Sequence, residues 1–366
     1  MKTTTLLILG FILCLKCFGN TFDTIPADHP LIEYTGRIDF TIPNAPQFSY
    51  SGVSIRACFQ GSIISVMLKD NKDENYYNII LDGKMLLKLK VDSGLKTYEL
   101  AKGLSNTTHE IEIYKLTEEM FGKTQFCGFL LDKGKTLTTI IGKRNLLFEF
   151  IGNSITCGYG NEGKLGEKFS PATENHYLTY AAITSRNFNA RHLAVCKSGI
   201  GIYRNYGGSW EGNEDCMPNY YTRIFLYDEN PKYSFTLKPD LIFVDLGTND
   251  FSTGKGDSAK YVNSYLKFID LLQVKNKGAD ILCLLGPMLQ GNDLQQIRRY
   301  LKYLVEAANK KGNGNVYFFE MSQQQGDLGI GADSHPTVAQ HKKNAAELTG
   351  FVCKLKGWTD RSMIIE

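Results

Sequence analysis

Alternating apolar and polar positions dominate the first part of the chain. Residues 36–139 contain segments with a period of two, separated by Gly, Asp and Asn, and none has the spacing of a helix face. Segments 76–81 and 84–90 flank Asp82-Gly83, a dipeptide typical of a two-residue hairpin turn. This pattern predicts an antiparallel all-β sandwich of roughly 110 residues.

A different pattern begins after Lys143-Arg144, where short apolar runs alternate with longer amphipathic segments. The apolar runs, predicted as buried strands, are residues 146–151, 192–196, 241–246, 281–285 and 316–319. The amphipathic segments, predicted as helices, are residues 177–187, 258–275, 294–310 and 338–354. Regular alternation of strand and helix predicts an α/β domain with a doubly wound, mostly parallel sheet covered by helices on both faces.

The N-terminus has the layout of a signal peptide. Lys2 precedes an apolar run at residues 6–15, and small residues follow up to Gly19. The run has about half of the roughly 20 residues that a membrane-spanning helix needs. We therefore expect residues 1–19 to be removed, leaving a secreted or periplasmic protein, with a lipoprotein anchor as the less favoured alternative.

Length and charge restrict the remaining organisation. A chain of 366 residues is long enough for two domains with separate cores, which we place at residues 30–143 for the β-sandwich and 144–358 for the α/β domain. The formal net charge is only +3, and the Lys and Arg residues form no cluster, which argues against a nucleic-acid partner. We expect a monomer without a membrane partner after signal cleavage.

Seven of the nine cysteines lie beyond residue 19. They are odd in number and scattered without the spacing of metal ligands. We expect mostly buried thiols, at most three disulfides and no metal site.

Four candidate site residues follow the ends of four predicted strands; they are Ser154, Gly199, Asn249 and His335. In a doubly wound sheet ligands bind beyond the carboxyl ends of the strands, so these residues should converge. Acyl transfer needs this set, because a serine hydroxyl is a weak nucleophile without a neighbouring base and the oxyanion needs donors placed in advance.

These requirements assign a role to each residue. We predict Ser154 as the nucleophile and His335 as its base. The predicted oxyanion hole consists of the Ser154 N–H, the Gly199 N–H and the side-chain amide of Asn249. Gly199 suits this role because a residue without Cβ lets its N–H approach the substrate closely.

Four sequence blocks carry a resemblance to a known superfamily. Residues 152–156, 198–199, 247–250 and 333–336 resemble, in order, the four blocks of the SGNH or GDSL-type hydrolases. Residues 150–161 and 246–252, with stretches at 36–37, 59–61 and 68–70, resemble carbohydrate esterase family 2 more closely. The resemblance covers residues 36–354. It implies an N-terminal jelly-roll sandwich joined to an SGNH domain that removes acetyl groups from plant polysaccharides.

Two positions depart from the superfamily pattern. Asn153 replaces the usual Asp of the first block, and because the amide is nearly isosteric we expect activity to survive. The pattern has an acid three residues before the histidine, where this chain has Ala332, whereas Asp333 stands two residues before it. The third role of the triad therefore belongs either to Asp333 or to a main-chain carbonyl, as the resemblance to family 2 allows.

The segment 202–210 follows the predicted oxyanion glycine and is rich in aromatic and polar residues. Because sugar rings stack on aromatic faces and their hydroxyls need polar partners, we propose Trp210, with Tyr203 or Arg204, as a sugar subsite. Tyr159 is a further candidate. The alternative is that Trp210 simply packs against the fold, as tryptophan often does.

The combined prediction is a carbohydrate esterase that removes O-acetyl groups from acetylated xylan or a related plant polysaccharide, with no metal or organic cofactor. One alternative is an SGNH esterase or lipase on small-molecule or lipid esters. Another is a carbohydrate-binding protein without catalytic activity. We expect the sandwich to form a wall of the cleft rather than to bind polysaccharide itself, because crevices between domains are common ligand sites.

Overall fold

A computed structural model describes residues 22–254, 256–312 and 314–360. The predicted signal peptide, residues 1–19, lies outside them. Two β-sheets organise the described residues: an antiparallel sheet in the N-terminal part and a parallel sheet in the remainder. The predicted order of an all-β unit followed by an α/β unit is confirmed.

The first sheet has ten strands. They are β1 (Phe22–Ile25), β2 (Glu33–Thr35), β3 (Ile38–Asp39), β4 (Gln47–Phe48), β5 (Ser54–Asp70), β6 (Asn75–Leu81), β7 (Lys84–Val91), β8 (Gly94–Lys115), β9 (Thr124–Asp132) and β10 (Leu137–Thr138). The strand order is β3-β4-β9-β5-β8-β6-β7, with β1 on β9 and with β2 and β10 on β5.

The long strands β5 and β8 form the centre of this sheet. Their pairing shifts register at residues 61–65, where bulges allow the strands to bend, and the alternate residues of β5 are buried in one core. The predicted hairpin is confirmed as β6 and β7, with Asp82 and Gly83 both at positive φ. The sheet begins earlier than predicted, because β1 lies before residue 30 and pairs with β9.

The second sheet has five parallel strands in the order β12-β11-β13-β14-β15. They are β11 (Leu147–Gly152), β12 (Arg191–Cys196), β13 (Leu241–Asp245), β14 (Asp280–Leu285) and β15 (Val316–Glu320). The helices are α1 (Ser154–Cys157), α2 (Tyr180–Asn187), α3 (Met217–Tyr220), α4 (Thr248–Phe251), α5 (Ser258–Lys275), α6 (Gly291–Lys310) and α7 (Val338–Lys356).

Helices cover both faces of this sheet, as predicted. Apolar residues of α5 and α6 form one core with one face of the strands, and residues of α2 and α7 form a second core on the opposite face. The strand order reverses at β11, which has β12 on one side and β13 on the other. Ligands bind beyond the carboxyl ends of strands at such a switch point, and α1 begins there.

Arg37 connects the two sheets. Its side chain comes from the N-terminal part, yet it is buried against the α/β part, where Nη2 lies 3.3 Å from Oε1 of Glu149. Nη1 donates hydrogen bonds to the carbonyl oxygens of Tyr221 and Arg223, the latter at 2.7 Å. The buried ion pair and these hydrogen bonds therefore link the N-terminal part of the chain to the α/β part.

The seven cysteines in the described residues are all free thiols, and five of them are buried. The expected core thiols are therefore present. No helix among residues 22–254, 256–312 and 314–360 has both the length and the apolar character needed to cross a membrane.

Candidate active site

Ser154 is the first residue of α1, and only Asn153 separates it from the end of β11. Asn153 caps this helix: its Oδ1 accepts the Ile155 N–H at 2.9 Å, while its Nδ2 donates to the carbonyl oxygen of Asp245 at 3.2 Å. The second bond requires a donor, so an amide fits here better than a carboxylate would. This explains how the chain accommodates Asn153 at a position where the superfamily usually has Asp.

The structure brings Ser154 and His335 together. Nε2 of His335 lies 2.8 Å from Oγ of Ser154, and Ser154 is only 7% exposed. Burial lowers the pKa of the His335 imidazole, which the neighbouring main-chain carbonyl of Asp333 partly offsets. A neutral imidazole at this distance can accept the hydroxyl proton.

Asp333 contacts His335 through its main chain and not through its carboxylate. Its carbonyl oxygen lies 3.1 Å from Nδ1 of His335. The carboxylate instead accepts the Phe169 N–H at 3.0 Å and the Tyr159 hydroxyl at 3.2 Å, and it pairs with Lys168 at 3.1 Å. Of the two predicted ways to orient the imidazole, the contacts in the structure favour the carbonyl over the carboxylate of Asp333.

Backbone conformation explains this arrangement. Asp333 and the following Ser334 both have positive φ, at 43° and 65°. This left-handed turn directs the carbonyl towards the imidazole and the carboxylate away from it, towards the Phe169 N–H. That N–H, followed by the Lys168 ammonium, lowers the pKa of the Asp333 carboxyl.

The predicted oxyanion donors surround the same cavity. Gly199 has φ of +77°, and within the described part of the chain its N–H donates to no protein acceptor. Asn249 donates one amide hydrogen to the carbonyl oxygen of Ile200 at 2.8 Å, which fixes the side chain and leaves a second hydrogen for a ligand. The Ser154 N–H is in the first turn of α1, where main-chain donors lack helical acceptors.

A cavity of about 800 Å³ opens over these groups. Its lining residues are Glu118, Met120, Ser154, Tyr159, Lys197, Ser198, Gly199, Tyr206, Tyr227, Thr248, Asn249, Ser252, Met288, Asp333, Ser334 and His335. Two of them, Glu118 and Met120, come from the segment that follows β8 and thus from the N-terminal part. No local sequence signal identifies Glu118 or Tyr227 as site residues, whereas Tyr206 lies within the aromatic segment 202–210.

Of the four predicted sugar contacts, only Tyr159 lines this cavity. Trp210 is 58% exposed and lies outside the lining, near the Lys260 ammonium. Tyr203 is buried in the core, and its hydroxyl accepts the Asp257 N–H at 2.6 Å. The guanidinium of Arg204 is satisfied by main-chain and hydroxyl oxygens of its own surroundings. The structure therefore does not place these three residues at the cavity over Ser154.

The carboxylate of Asp250 binds the main chain of the segment that was predicted to contact sugar. It accepts the N–H groups of Ile202, Tyr203 and Arg204 at 3.0–3.1 Å, and it is itself fully buried. Burial raises the pKa of Asp250 to about 6, although the three donors favour its charged form. These bonds hold residues 202–204 against Asp250, and the Tyr203 and Arg204 side chains lie outside the cavity over Ser154.

Both parts of the chain match known families. Residues 34–140 match the carbohydrate esterase 2 N-terminal family, and residues 150–343 match the GDSL-like lipase/acylhydrolase family. Among solved structures, the chain is similar to a family two carbohydrate esterase from Clostridium thermocellum in complex with cellohexaose. The TM-score is 0.85 and the identity 37%, with 89% of this chain and 99% of that chain covered.

Curated proteins give the same grouping. The chain is 39% identical to the cellulase/esterase CelE of Acetivibrio thermocellus over 90% of its own length, and it spans 40% of the length of that protein. It is also 28% identical to an acetylxylan esterase/glucomannan deacetylase of Cellvibrio japonicus, with 92% of each chain covered.

Proposed function

Because this chain belongs to carbohydrate esterase family 2, we propose that it removes O-acetyl groups from plant polysaccharide through a serine acyl-enzyme. Membership of this family makes it a carboxylic ester hydrolase. The observation that carries the proposed mechanism is the 2.8 Å contact between Oγ of Ser154 and Nε2 of His335 at the floor of the cavity.

In the first step Ser154 is the nucleophile. His335 takes the hydroxyl proton at Nε2 while Oγ attacks the acetyl carbonyl carbon, and the carbonyl electron pair moves to oxygen. The N–H groups of Ser154 and Gly199 and the amide of Asn249 donate to this oxyanion. When the intermediate collapses, the bond to the sugar oxygen breaks and that oxygen takes the proton from His335.

The second step repeats this chemistry with water. His335 accepts a proton from water, the hydroxide attacks the acetyl carbonyl carbon, and the bond to Ser154 breaks. The serine oxygen recovers its proton from His335, and acetate leaves. The carbonyl of Asp333, 3.1 Å from Nδ1, keeps the imidazole in the orientation that both steps need.

A polysaccharide substrate is supported by the relatives and by the cavity. One relative is an acetylxylan esterase/glucomannan deacetylase, and another was solved with cellohexaose. The exposed aromatic rings of Tyr206 and Tyr227 line the cavity and offer faces on which sugar rings can stack, whereas the Tyr159 ring packs between Phe169 and His335. The signal-peptide pattern agrees with a site of action outside the cytoplasm, where such polymers occur.

The test compares acetate release from acetylated xylan and acetylated glucomannan with hydrolysis of a long-chain ester, for the wild type and Ser154→Ala. We expect the wild type to release acetate from the polysaccharides and Ser154→Ala to lose this activity. Faster hydrolysis of the long-chain ester would favour a lipase. Equal rates for wild type and variant on all substrates, with retained polysaccharide binding, would leave a binding protein without catalytic activity.

A further inference from the structure

Glu118 occupies an unusual place in the molecule. It follows β8 of the N-terminal sheet, yet it is only 1% exposed and lines the cavity beside Ser198 and Gly199 of the α/β part. The proposed mechanism gives it no role. A buried carboxylate needs hydrogen-bond partners, so its contacts indicate what it does.

Both carboxylate oxygens of Glu118 bind Ser198. Oε2 accepts the Ser198 N–H at 2.8 Å, and Oε1 accepts the Ser198 hydroxyl at 2.5 Å. The two bonds hold the main chain and the side chain of the residue that directly precedes Gly199. Because Ser198 is held by both its N–H and its side chain, only rotation about its Cα–C bond can still change the direction of the Gly199 N–H.

The other side of Gly199 is also held, because its carbonyl oxygen accepts the Tyr206 N–H at 2.8 Å. Glycine is conformationally permissive, and at φ of +77° Gly199 has no side chain to restrict it. Restraints must therefore come from its neighbours. Glu118 supplies the restraint on the N-terminal side, and Tyr206 supplies the one on the C-terminal side.

Glu118 is itself fixed. The Glu118 N–H donates to Oε2 of Glu174 at 3.0 Å. The Cys157 thiol lies 3.8 Å from Oε2 of Glu118. Cys157 is the last residue of α1, the helix that begins with Ser154. Glu118 thus contacts both the segment that carries the oxyanion glycine and the helix that carries the proposed nucleophile.

We propose that Glu118 is a positioning residue that holds the Gly199 N–H in the oxyanion hole, so that the N-terminal domain contributes to transition-state stabilisation. The proposal rests on the proposed esterase function. Because Glu118 acts through Ser198, its loss should lower kcat and leave substrate binding unchanged. Displacement of a donor costs less than its removal, which lowers the rate about 10²–10³-fold, so we expect a fall in kcat of roughly 10–100-fold for Glu118→Ala.

Glutamine separates geometry from charge at this position. A carboxylate beside the oxyanion would repel it, so any benefit from Glu118 must come from hydrogen bonds and not from its charge. In Glu118→Gln the amide oxygen can accept the Ser198 N–H, and the amide NH₂ can donate to the Ser198 hydroxyl oxygen. We therefore expect Glu118→Gln to keep kcat within about threefold of the wild type, consistent with a hydrogen-bond role.

The experiment measures kcat and KM for acetate release from acetylated xylo-oligosaccharides with Glu118→Ala, Glu118→Gln and Ser198→Ala. Glu162→Ala is the matched control, since Glu162 also joins the two parts of the chain, through Lys88, but lines no part of the cavity. Binding of the same oligosaccharides is measured in the Ser154→Ala background with and without Glu118→Ala. We expect an unchanged Kd there and wild-type kcat for the control.

A wild-type kcat in Glu118→Ala, with or without higher values of KM and Kd, would overturn the proposal and leave the esterase function intact. A loss in Glu118→Gln as large as in Glu118→Ala would overturn it as well. If Glu118→Ala does not fold, Glu118→Asp decides, because its shorter side chain cannot keep both bonds to Ser198: a lower kcat with an unchanged Kd supports the proposal and a wild-type kcat refutes it. An inactive wild type would refute the esterase function itself.

Discussion

Replacing Asp333 by asparagine distinguishes the two ways in which this residue could orient His335. The substitution removes the charge of the carboxylate but preserves the main-chain carbonyl that lies 3.1 Å from Nδ1. Asparagine also tolerates the positive φ of 43° at this position, so the turn should persist. Its Oδ1 can still accept the Phe169 N–H.

The size of the expected effect follows from these contacts. The lost ion pair involves a Lys168 side chain that is 91% exposed, and such pairs contribute little. We therefore expect Asp333→Asn to retain kcat within about tenfold of the wild type. Where a carboxylate orients the imidazole, the same change of acid to amide lowers kcat about 10⁴-fold. The two interpretations thus differ by roughly three orders of magnitude.

The assay is steady-state acetate release from acetylated xylan, with urea unfolding as a check on folding. Asp327→Asn, which changes an exposed acid on the same loop, serves as the control. A fall of about 10⁴-fold in kcat for Asp333→Asn, with unfolding like that of the wild type, would refute the assignment of the carbonyl. It would mean that the carboxylate reaches the imidazole during catalysis.

Three further predictions concern the oxyanion hole, the domain contact and the pH dependence. Asn249→Ala should lower kcat about a hundredfold or more, equivalent to roughly 3 kcal/mol, with little change in KM in the same assay. Arg37→Met should lower the free energy of unfolding by about 3–5 kcal/mol, measured in urea, because it leaves Glu149 buried without its cation. Burial lowers the pKa of His335, and only the neutral imidazole is a base. The acid limb of the kcat/KM profile should therefore have its midpoint below the usual histidine value of about 6.5.

Each of these has an outcome that contradicts it. A higher KM with an unchanged kcat for Asn249→Ala would make the amide a substrate contact and not an oxyanion donor. Unfolding of Arg37→Met at the wild-type urea concentration would show that the ion pair does not hold the domains. An acid limb above the usual histidine pKa would mean that His335 is more solvated, or nearer to an anion, than its position indicates.

Local patterns predicted most of the fold. The helix predicted at residues 258–275 is α5 with the same bounds, because its apolar face repeats every three or four residues and Asp257 caps it. By contrast, α6 begins three residues before the predicted position, since its first turn is polar and Gln290 provides no side-chain cap. Periodicity detects buried apolar faces. It therefore locates α5, whose apolar face spans the helix, but misses the polar first turn of α6.

The convergence of the site was also predictable, because topology alone brings strand ends together. Ser154 and His335 are 181 positions apart and meet at 2.8 Å, as expected for residues beyond the carboxyl ends of parallel strands. The sugar contacts were not predictable in the same way. Composition marked the segment 202–210 as aromatic, but the Asp250 carboxylate decides which of its side chains enter the cavity.

Asp333 and Glu118 show where sequence spacing stops being informative. Spacing cannot separate a carbonyl from a carboxylate when both belong to residue 333; the choice depends on the left-handed turn and on the Phe169 N–H, which is 164 positions away. Glu118 is 80 positions from Ser198 and belongs to the other sheet. The sequence blocks that contain the reacting residues are short, because each block follows one strand. The groups that orient these residues can come from any part of the chain that packs against the site. The reacting groups can therefore be predicted from sequence, but the groups that position them have to be found in the structure.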